Sequence, residues 1–260
     1  MAPTVILIRH AQALHSQCLP PSEVETMLML RQMSLINYDI HDPSLTELGF
    51  GPQCNELAQY LENELPLAQK IELIVVSPMR RTLQTAQQGL GWLMKRGVPV
   101  ILRPEWQENS AKPCDTGSPI SEMAAEWPQF DWSTVDPQYP AKTGLYEFSK
   151  RGLTERGIAA RKWLRNRPEK VIAVVSHSGF LRVGVSYKKY ENADFRIFDF
   201  ADGDEEIGGK LVEWELTEKK GGGLGKSPKG YFPVGPGDYP AEPELETQKD
   251  IGEAVSELPN

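Results

Sequence analysis

The chain has 260 residues, of which 40% are hydrophobic and 25% charged, as expected for one globular α/β domain with insertions or a tail. Its formal net charge of −8 argues against a nucleic-acid-binding protein, which needs a basic surface, although a local arginine cluster can still draw an anionic substrate into a cleft. Three scattered cysteines, and no His and Cys at ligand spacing, predict neither a disulfide framework nor a metal site.

The N-terminus and the hydropathy pattern predict an intracellular protein. The chain enters its first strand within four residues, which leaves no room for a signal peptide. No apolar run approaches the ~18 residues that a membrane-spanning helix needs. We therefore expect a cytoplasmic protein, with a nuclear location also open, and neither a membrane nor a nucleic acid as partner.

The first predicted element is a buried strand at residues 5–8, where four apolar residues follow one another. It runs directly into Arg9 and His10. Ligands of open α/β sheets bind at the carboxyl ends of the strands, which is where this pair lies. The dipeptide by itself is also compatible with an ordinary surface position.

A long connection, residues 12–43, follows the strand and is expected to form part of a pocket wall. It contains a predicted short helix at residues 22–33, whose methionines we expect to pack in the core. Thr46 then caps a predicted helix over residues 47–64.

A second apolar strand, residues 73–76, ends in a Ser-Pro turn and a pair of arginines, Arg80 and Arg81. The predicted helix over residues 80–95 places Arg81 in its first turn. Backbone N–H groups and the positive end of the helix dipole there add to the guanidinium in holding an anion.

After a short strand at residues 98–102, an insertion at about residues 103–150 contains six prolines and three tryptophans, which predicts an ordered segment. A helix over residues 153–165 leads to the third apolar strand, residues 171–175, and then to His177. Three buried strands that each end in His or Arg predict one shared pocket, and arginine forks match the oxygens of a phosphoryl group.

The composition changes abruptly near the C-terminus. One more strand is predicted near residues 210–217, and the Pro- and Gly-rich sequence beyond it buries too little apolar surface to fold alone. We therefore predict a catalytic domain over residues 1–217, with insertions at about 11–43 and 103–150, and an extended tail over residues 218–260.

Four motifs in this order resemble the signature of the histidine phosphatase superfamily (phosphoglycerate mutase-like), over roughly residues 4–190. The family has Arg-His-Gly, Ser-Pro-x-x-Arg-x-x-Gln-Thr-Ala, Leu-x-Glu and Ser-His-x-Gly, which correspond here to residues 9–11, 77–86, 106–108 and 176–179. Ala11 in place of glycine is typical of a eukaryotic branch. The resemblance implies a three-layer αβα sandwich with a mostly parallel central sheet.

The resemblance also implies a metal-independent phosphomonoesterase without a cofactor, acting on a small phosphorylated metabolite. His10 is then the nucleophile that forms a phosphohistidine, which water hydrolyses. Surrounding cations favour the neutral, nucleophilic form of its ring. Arg9, Arg81 and His177 match the family's phosphate pocket, and Glu108 matches its general acid; His10, His177 and Glu108 are the predicted catalytic residues.

The identity of the general acid leaves an alternative open. Trp106 replaces the leucine of the Leu-x-Glu motif, so that Glu105, three residues before Glu108, is the alternative acid. A carboxyl group beside a dianionic phosphate keeps its proton more readily, as a general acid requires.

Ala13 and Ser16 stand where the branch has Gly and Asn. Ser16 offers the phosphate only a short hydroxyl, so that phosphate affinity is expected to be weaker or the pocket altered. His15 belongs to the same branch pattern and is either a substrate contact or a structural residue. His41 is expected to be structural or at the surface.

These departures keep other functions open. The chain could be a weakly active or inactive member of the fold that serves in binding, or one recruited to a non-phosphate anionic substrate. A phosphoglycerate mutase needs a phosphoenzyme shielded from water, and the mutase form of the first motif is absent here.

Overall fold

The computed structural model describes residues 2–16, 37–203 and 208–240. The helix predicted at residues 22–33 and the last twenty residues of the predicted tail lie outside the described residues. One central sheet contains six strands: β1 (Thr4–Arg9), β2 (Leu73–Val76), β3 (Val100–Leu102), β4 (Val171–Ser176), β5 (Phe195–Phe200) and β6 (Leu211–Glu213). Their order across the sheet is β3-β2-β4-β1-β5-β6.

Helices follow most of the strands. The α-helices are α1 (Cys54–Asn63), α2 (Arg80–Gly89), α3 (Gly91–Lys95), α4 (Ile120–Glu126), α5 (Lys150–Arg165), α6 (Ser178–Phe180) and α7 (Glu215–Lys220). A π-helical turn, Gly49–Gln53, precedes α1, and another, Leu181–Ser186, continues α6. In the described part of the chain no helix is long and apolar enough to cross a bilayer.

The sheet is mostly parallel, as predicted. Strand β4 pairs in parallel with β1 and β2, and β2 with β3, whereas β5 and β6 run antiparallel. Side chains alternate between the two faces, and both faces are apolar. One face packs against α1, α2 and α3, and the other against α5 and the turn after α6. This gives the predicted three-layer αβα sandwich.

Strand β5 was not among the predicted elements. Its sequence includes Arg196 and Asp199, which interrupt the apolar run that marks the other strands. The Arg196 guanidinium is fully buried and donates to the Glu213 carboxylate at 2.7 Å, so that the charge is neutralised inside the fold. A pairing between residues distant in sequence thus stabilises this strand.

The predicted helix over residues 80–95 is two helices. The chain leaves helical geometry at Leu90, between Gly89 and Gly91, because glycine is a poor helix former. The helix predicted over residues 47–64 was expected to have Leu48, Leu57 and Leu61 on one side; Leu57 and Leu61 are buried, whereas Leu48 is 47% exposed.

Residues 218–240 differ from the extended tail that the composition predicts. The strand near residues 210–217 ends at Glu213, helix α7 runs to Lys220, and the following loop packs on Asp194. The buried Asp194 carboxylate accepts hydrogen bonds from the backbone N–H groups of Phe195, Leu224, Lys226 and Ser227 and from the Ser227 hydroxyl. A buried anion therefore holds a segment that has few apolar side chains of its own.

The loop beyond α7 needs a glycine at residue 222 because its backbone passes close to the Asp194 carboxylate. Gly222 has φ +84°, and a Cβ atom there would lie 2.1 Å from Oδ2 of Asp194. Asp194 in turn adjoins the sequence-predicted pocket, because its carbonyl oxygen accepts the backbone N–H of Arg9 at 3.1 Å.

Candidate active site

Two imidazole rings lie side by side at the carboxyl edge of the sheet. Strands β1 and β4 are adjacent and parallel, with Arg9 in register with Ser176. The residues that directly follow them, His10 and His177, are consequently neighbours, and their ring centroids are 5.1 Å apart. Both side chains are buried, with His10 3% and His177 0% exposed. The topology thus brings together two of the predicted site residues.

The hydrogen bonds of His10 define which nitrogen carries the proton. Its Nδ1 lies 2.7 Å from the carbonyl oxygen of Ala11, which can only accept, so Nδ1 donates. Its Nε2 accepts from Nε of Arg81 at 3.2 Å. Nε2 therefore carries a lone pair directed toward the guanidinium, where an anion would bind.

Burial and nearby positive charge keep both rings neutral. Burial lowers the pKa of His10 well below its ordinary value of 6.5, and Arg81, Arg9 and His15 lower it further. The pKa of His177 is likewise lowered, first by burial and then by Arg81. A neutral imidazole has the lone pair that a nucleophile requires.

Arg81 and not Arg80 enters this cluster. Arg81 lies in the first turn of α2 with no exposed surface, and its Nη1 donates to the carbonyl oxygen of Cys114 at 2.7 Å. Its Nη2 lies 3.3 Å from the Asp115 carboxylate. Arg80 points the other way and pairs with Glu126. The neighbouring arginines differ in role because successive helical residues face different sides.

Arg9 is anchored beside His10 through the chain that precedes β5. Its Nη1 donates to the carbonyl oxygen of Tyr190 at 2.7 Å and lies 3.7 Å from the Glu191 carboxylate. Within the described residues its Nε is buried without a hydrogen-bond partner. The charges of Arg9 and Arg81 thus both act on the His10 ring, and Arg81 is the one that contacts its Nε2 atom.

Glu108 lies next to the turn that follows His177. Its Oε1 accepts backbone N–H groups of Asn109 and Phe180, both at 2.9 Å, and its Oε2 accepts that of Gly179 at 3.0 Å. Burial, and then the Asp115 charge, raise the pKa of the carboxyl group, while Arg81 and the N–H donors act in the opposite direction. The net direction is upward because burial dominates.

The alternative acid, Glu105, has a different environment. Its Oε1 pairs with Arg103, on the same 3₁₀ turn. The Glu108 carboxylate accepts N–H groups of the turn that follows His177, and its charge acts on Arg9, whereas Glu105 is paired with Arg103. The structure therefore places the Glu108 carboxyl group beside the predicted pocket residues.

The 3₁₀ turn Leu14–Ser16 brings His15 to the cluster as well. The His15 ring centroid is 6.2 Å from that of His10, and burial and Arg81 lower its pKa to about 4. Ser16 ends the turn, and its backbone N–H donates to the carbonyl oxygen of Ala13 at 2.8 Å. His41 lies apart, with Nε2 3.2 Å from the carbonyl oxygen of Gly117.

Two further side chains join the site without having been assigned a role from the sequence. The Ser77 hydroxyl lies 2.9 Å from Nε2 of His177 and orients that ring. Lys142, from the insertion, donates from Nζ to the carbonyl oxygen of Glu108 at 2.7 Å. Ser77 lies inside the matched Ser-Pro motif, which was a usable signal, whereas the sequence around Lys142 carried none.

No group of three or more His, Cys, Asp and Glu side chains in the described ranges is arranged to hold a metal ion. Positive charge at the site comes from the guanidiniums of Arg9 and Arg81. The arrangement can hold a tetrahedral anion against an unprotonated imidazole nitrogen, with a carboxyl group of raised pKa nearby.

Comparison with known families identifies this arrangement. The family model of the histidine phosphatase superfamily (branch 1) matches residues 5–203. The chain belongs to this superfamily. The family predicted from the four motifs is thereby confirmed, and the matched range includes every residue of the site described above.

Relatives of the chain carry names from the same family. A probable phosphatase of Schizosaccharomyces pombe is 29% identical over 194 residues, which cover 73% of this chain and 81% of that protein. Phosphoglycerate mutase-like protein 1 of Arabidopsis thaliana is 30% identical over 206 residues, covering 68% of this chain and 69% of that protein. Among solved structures, the ecdysone phosphate phosphatase of Bombyx mori, in complex with tungstate, matches 81% of this chain and 92% of its own, with 18% identity and a TM-score of 0.47.

Proposed function

We propose that this chain is a metal-independent phosphomonoesterase that hydrolyses a small phosphorylated metabolite through a phosphohistidine formed on His10. One observation carries the proposal: the unprotonated Nε2 of His10 faces the Arg81 guanidinium at 3.2 Å in a buried cluster of cations. Membership of the histidine phosphatase superfamily and a relative named as a phosphatase support the same reaction.

In the first step, Nε2 of His10 attacks the phosphorus atom and the bond from phosphorus to the ester oxygen breaks. Arg9, Arg81 and His177 stabilise the charge that spreads over the phosphoryl oxygens. The leaving oxygen takes the proton of the Glu108 carboxyl group and departs as an alcohol. The product bound to the enzyme is phosphohistidine.

In the second step, a water molecule attacks the phosphorus atom of the phosphohistidine. The Glu108 carboxylate accepts the proton of that water, which restores the carboxylic acid. The N–P bond breaks, and inorganic phosphate leaves with His10 again neutral. The chain's own guanidiniums supply the positive charge in both steps, so that the proposal requires no metal ion.

The proposal is tested with the purified protein and p-nitrophenyl phosphate in the presence of EDTA. We expect hydrolysis that EDTA leaves unchanged and that vanadate inhibits. A requirement for added metal would contradict the proposal. Turnover that depends on a bisphosphate primer would favour a mutase. No turnover on a broad panel of phosphate esters, with the fold intact, would favour a binding protein or a non-phosphate substrate.

Glu108→Gln should lower kcat/KM by about a hundredfold or more for an alkyl phosphate, whose leaving alkoxide needs a proton. The loss in kcat/KM should be much smaller for p-nitrophenyl phosphate, because p-nitrophenolate leaves without one. The measurement is kcat/KM for both esters, which reports the first step and not the hydrolysis of the phosphohistidine, with Glu105→Gln as the matched control that stays near wild type. Equal losses on the two esters would mean that Glu108 acts through the structure of the pocket and not as the acid.

A further inference from the structure

Lys142 is a charged side chain to which the proposed reaction assigns no role. It belongs to the insertion at residues 103–150, and its one hydrogen bond in the described part of the chain runs from Nζ to the carbonyl oxygen of Glu108 at 2.7 Å. An ammonium group has three donors. No carboxylate of the described residues lies within 4.0 Å of its Nζ, unlike the paired lysines Lys188 and Lys219.

The position of this cation relates it to the phosphate pocket. Its charge lowers the pKa of His177, and the charges of Arg81, Asp115, Glu108 and Arg156 act on Lys142 in return. Burial, and then Arg156, lower the pKa of Lys142 to about 7, whereas the two carboxyl groups raise it. The ammonium group thus lies beside Glu108, whose carboxylate is bonded to the turn that follows His177.

Lys142 reaches the site from a different element than the two guanidiniums. Arg9 ends β1 and Arg81 lies in the first turn of α2, whereas Lys142 belongs to the insertion and contacts the chain at Glu108. The Lys142 side chain is partly buried, and a partly desolvated cation without a counter-ion is stabilised by an incoming anion. The arrangement is suited to a second negative group on the same substrate.

We propose that Lys142 binds a second anionic group of the substrate, a carboxylate or a second phosphate, beside the phosphoryl group that His10 attacks. The inference rests on the proposed phosphatase function and narrows its substrates to small phosphate esters that carry another acidic group. Lys142 is then a specificity-determining residue that lies in the variable insertion and not in the family motifs.

The proposal is tested with two esters that differ only in the second group, phosphoglycolate and its carboxamide. In the Lys142→Gln variant, KM for phosphoglycolate should rise by about tenfold to a hundredfold, the usual worth of a hydrogen bond to a charged group. KM for the carboxamide should stay within about threefold of wild type. The same KM comparison between propanediol monophosphate and propanediol bisphosphate tests a second phosphate. Whether the bisphosphate or phosphoglycolate loses more in Lys142→Gln shows whether a phosphate or a carboxylate is the preferred second group.

The pH dependence of kcat/KM separates binding of the second anionic group from a purely structural role of Lys142, because a structural role would affect both esters equally. The ratio of kcat/KM for phosphoglycolate to that for the carboxamide should fall as pH rises through about 7, because Lys142 then loses its proton. Titration of His10, His177 and Glu108 affects both esters and cancels from the ratio. In Lys142→Arg the ratio should no longer fall in this range, because the guanidinium keeps its charge.

Equal losses on both esters in Lys142→Gln would overturn the proposal and indicate a tether for the Glu108 segment. Unchanged kinetics on both esters would also overturn it. The proposed function fails if the wild-type protein hydrolyses neither these esters nor any other of a broad panel, and the dissociation constants of the two compounds measured by calorimetry decide the Lys142 proposal separately. Tighter binding of phosphoglycolate, lost in Lys142→Gln, would support it, and equal binding would contradict it.

Discussion

Replacing His10 by alanine is expected to lower kcat for a phosphate monoester by at least about a thousandfold, because Nε2 of His10, which accepts a hydrogen bond from Arg81, is the proposed nucleophile. The side chain lies in a pocket of polar groups, so that the fold should remain intact by circular dichroism. Wild-type protein quenched during turnover should carry an acid-labile, base-stable phosphoryl group, which the variant lacks.

His41→Ala is the matched control, since His41 contacts only the carbonyl oxygen of Gly117 and lies outside the cluster. Its kcat should stay close to that of the wild type. Because burial and the neighbouring arginines hold the pKa of His10 well below 6.5, its protonation should not reduce wild-type activity between about pH 7 and about pH 6. Turnover of His10→Ala at the wild-type rate would refute the covalent route.

Replacing Arg81 by alanine is expected to lower kcat by about a hundredfold to a thousandfold, the range seen when one donor to a developing negative charge is removed. Arg81 is the guanidinium that contacts Nε2 of His10, and its N–H groups lie where the phosphoryl oxygens would be held. A lysine at this position should recover only part of the rate, because an ammonium group lacks the planar fork. Steady-state kinetics on one aryl phosphate measure both variants.

The same substitution has a second, independent consequence. The Arg81 charge lowers the pKa of His10, so its removal should raise that pKa. Protonation of His10 would then begin at a higher pH, and the activity of Arg81→Ala should decline earlier than that of the wild type as the pH falls. Comparison of the two profiles of kcat/KM against pH reveals this shift.

Arg80→Ala provides the control for both effects. Arg80 is adjacent in sequence and identical in chemistry, but it pairs with Glu126 and contacts the Met123 sulfur at 3.8 Å. Its removal should change kcat by no more than about threefold. If Arg80→Ala lost as much activity as Arg81→Ala, the effect would come from disturbance of α2 and not from the lost phosphate donor.

The pocket could be anticipated from the sequence because of one property of parallel sheets. Apolar runs of four to six residues identify β1, β2 and β4, and parallel neighbours present their carboxyl ends at one edge. The residues that follow those runs therefore meet, whatever the loops between them do. For this reason His10, Arg81 and His177 were predictable as a group, whereas the family was indicated by the resemblance of four short motifs.

Strand β5 and the packed loop after α7 could not be predicted from the local sequence pattern. Strand β5 looks polar in sequence because it contains Arg196. That residue can be buried because its charge is neutralised by Glu213, seventeen residues further along the chain. The packed loop after α7 depends on the buried Asp194 carboxylate, which lies some thirty residues before it. Neither interaction can be predicted from composition, since a charged residue such as Arg196 or Asp194, taken alone, indicates exposure to solvent.

The sequence by itself determined the family, the three-layer sheet architecture and the imidazoles and guanidiniums that end its buried strands, because strand periodicity and short motifs are local properties. Only the tertiary structure placed the Glu108 carboxyl group beside the turn after His177 and that of Glu105 on Arg103, and brought His15 and Lys142 near the same residues. Those outcomes depend on which distant backbone donors and charges each side chain meets, as with the Gly179 and Phe180 N–H groups that hold Glu108. Electrostatic environment is a property of the assembled fold.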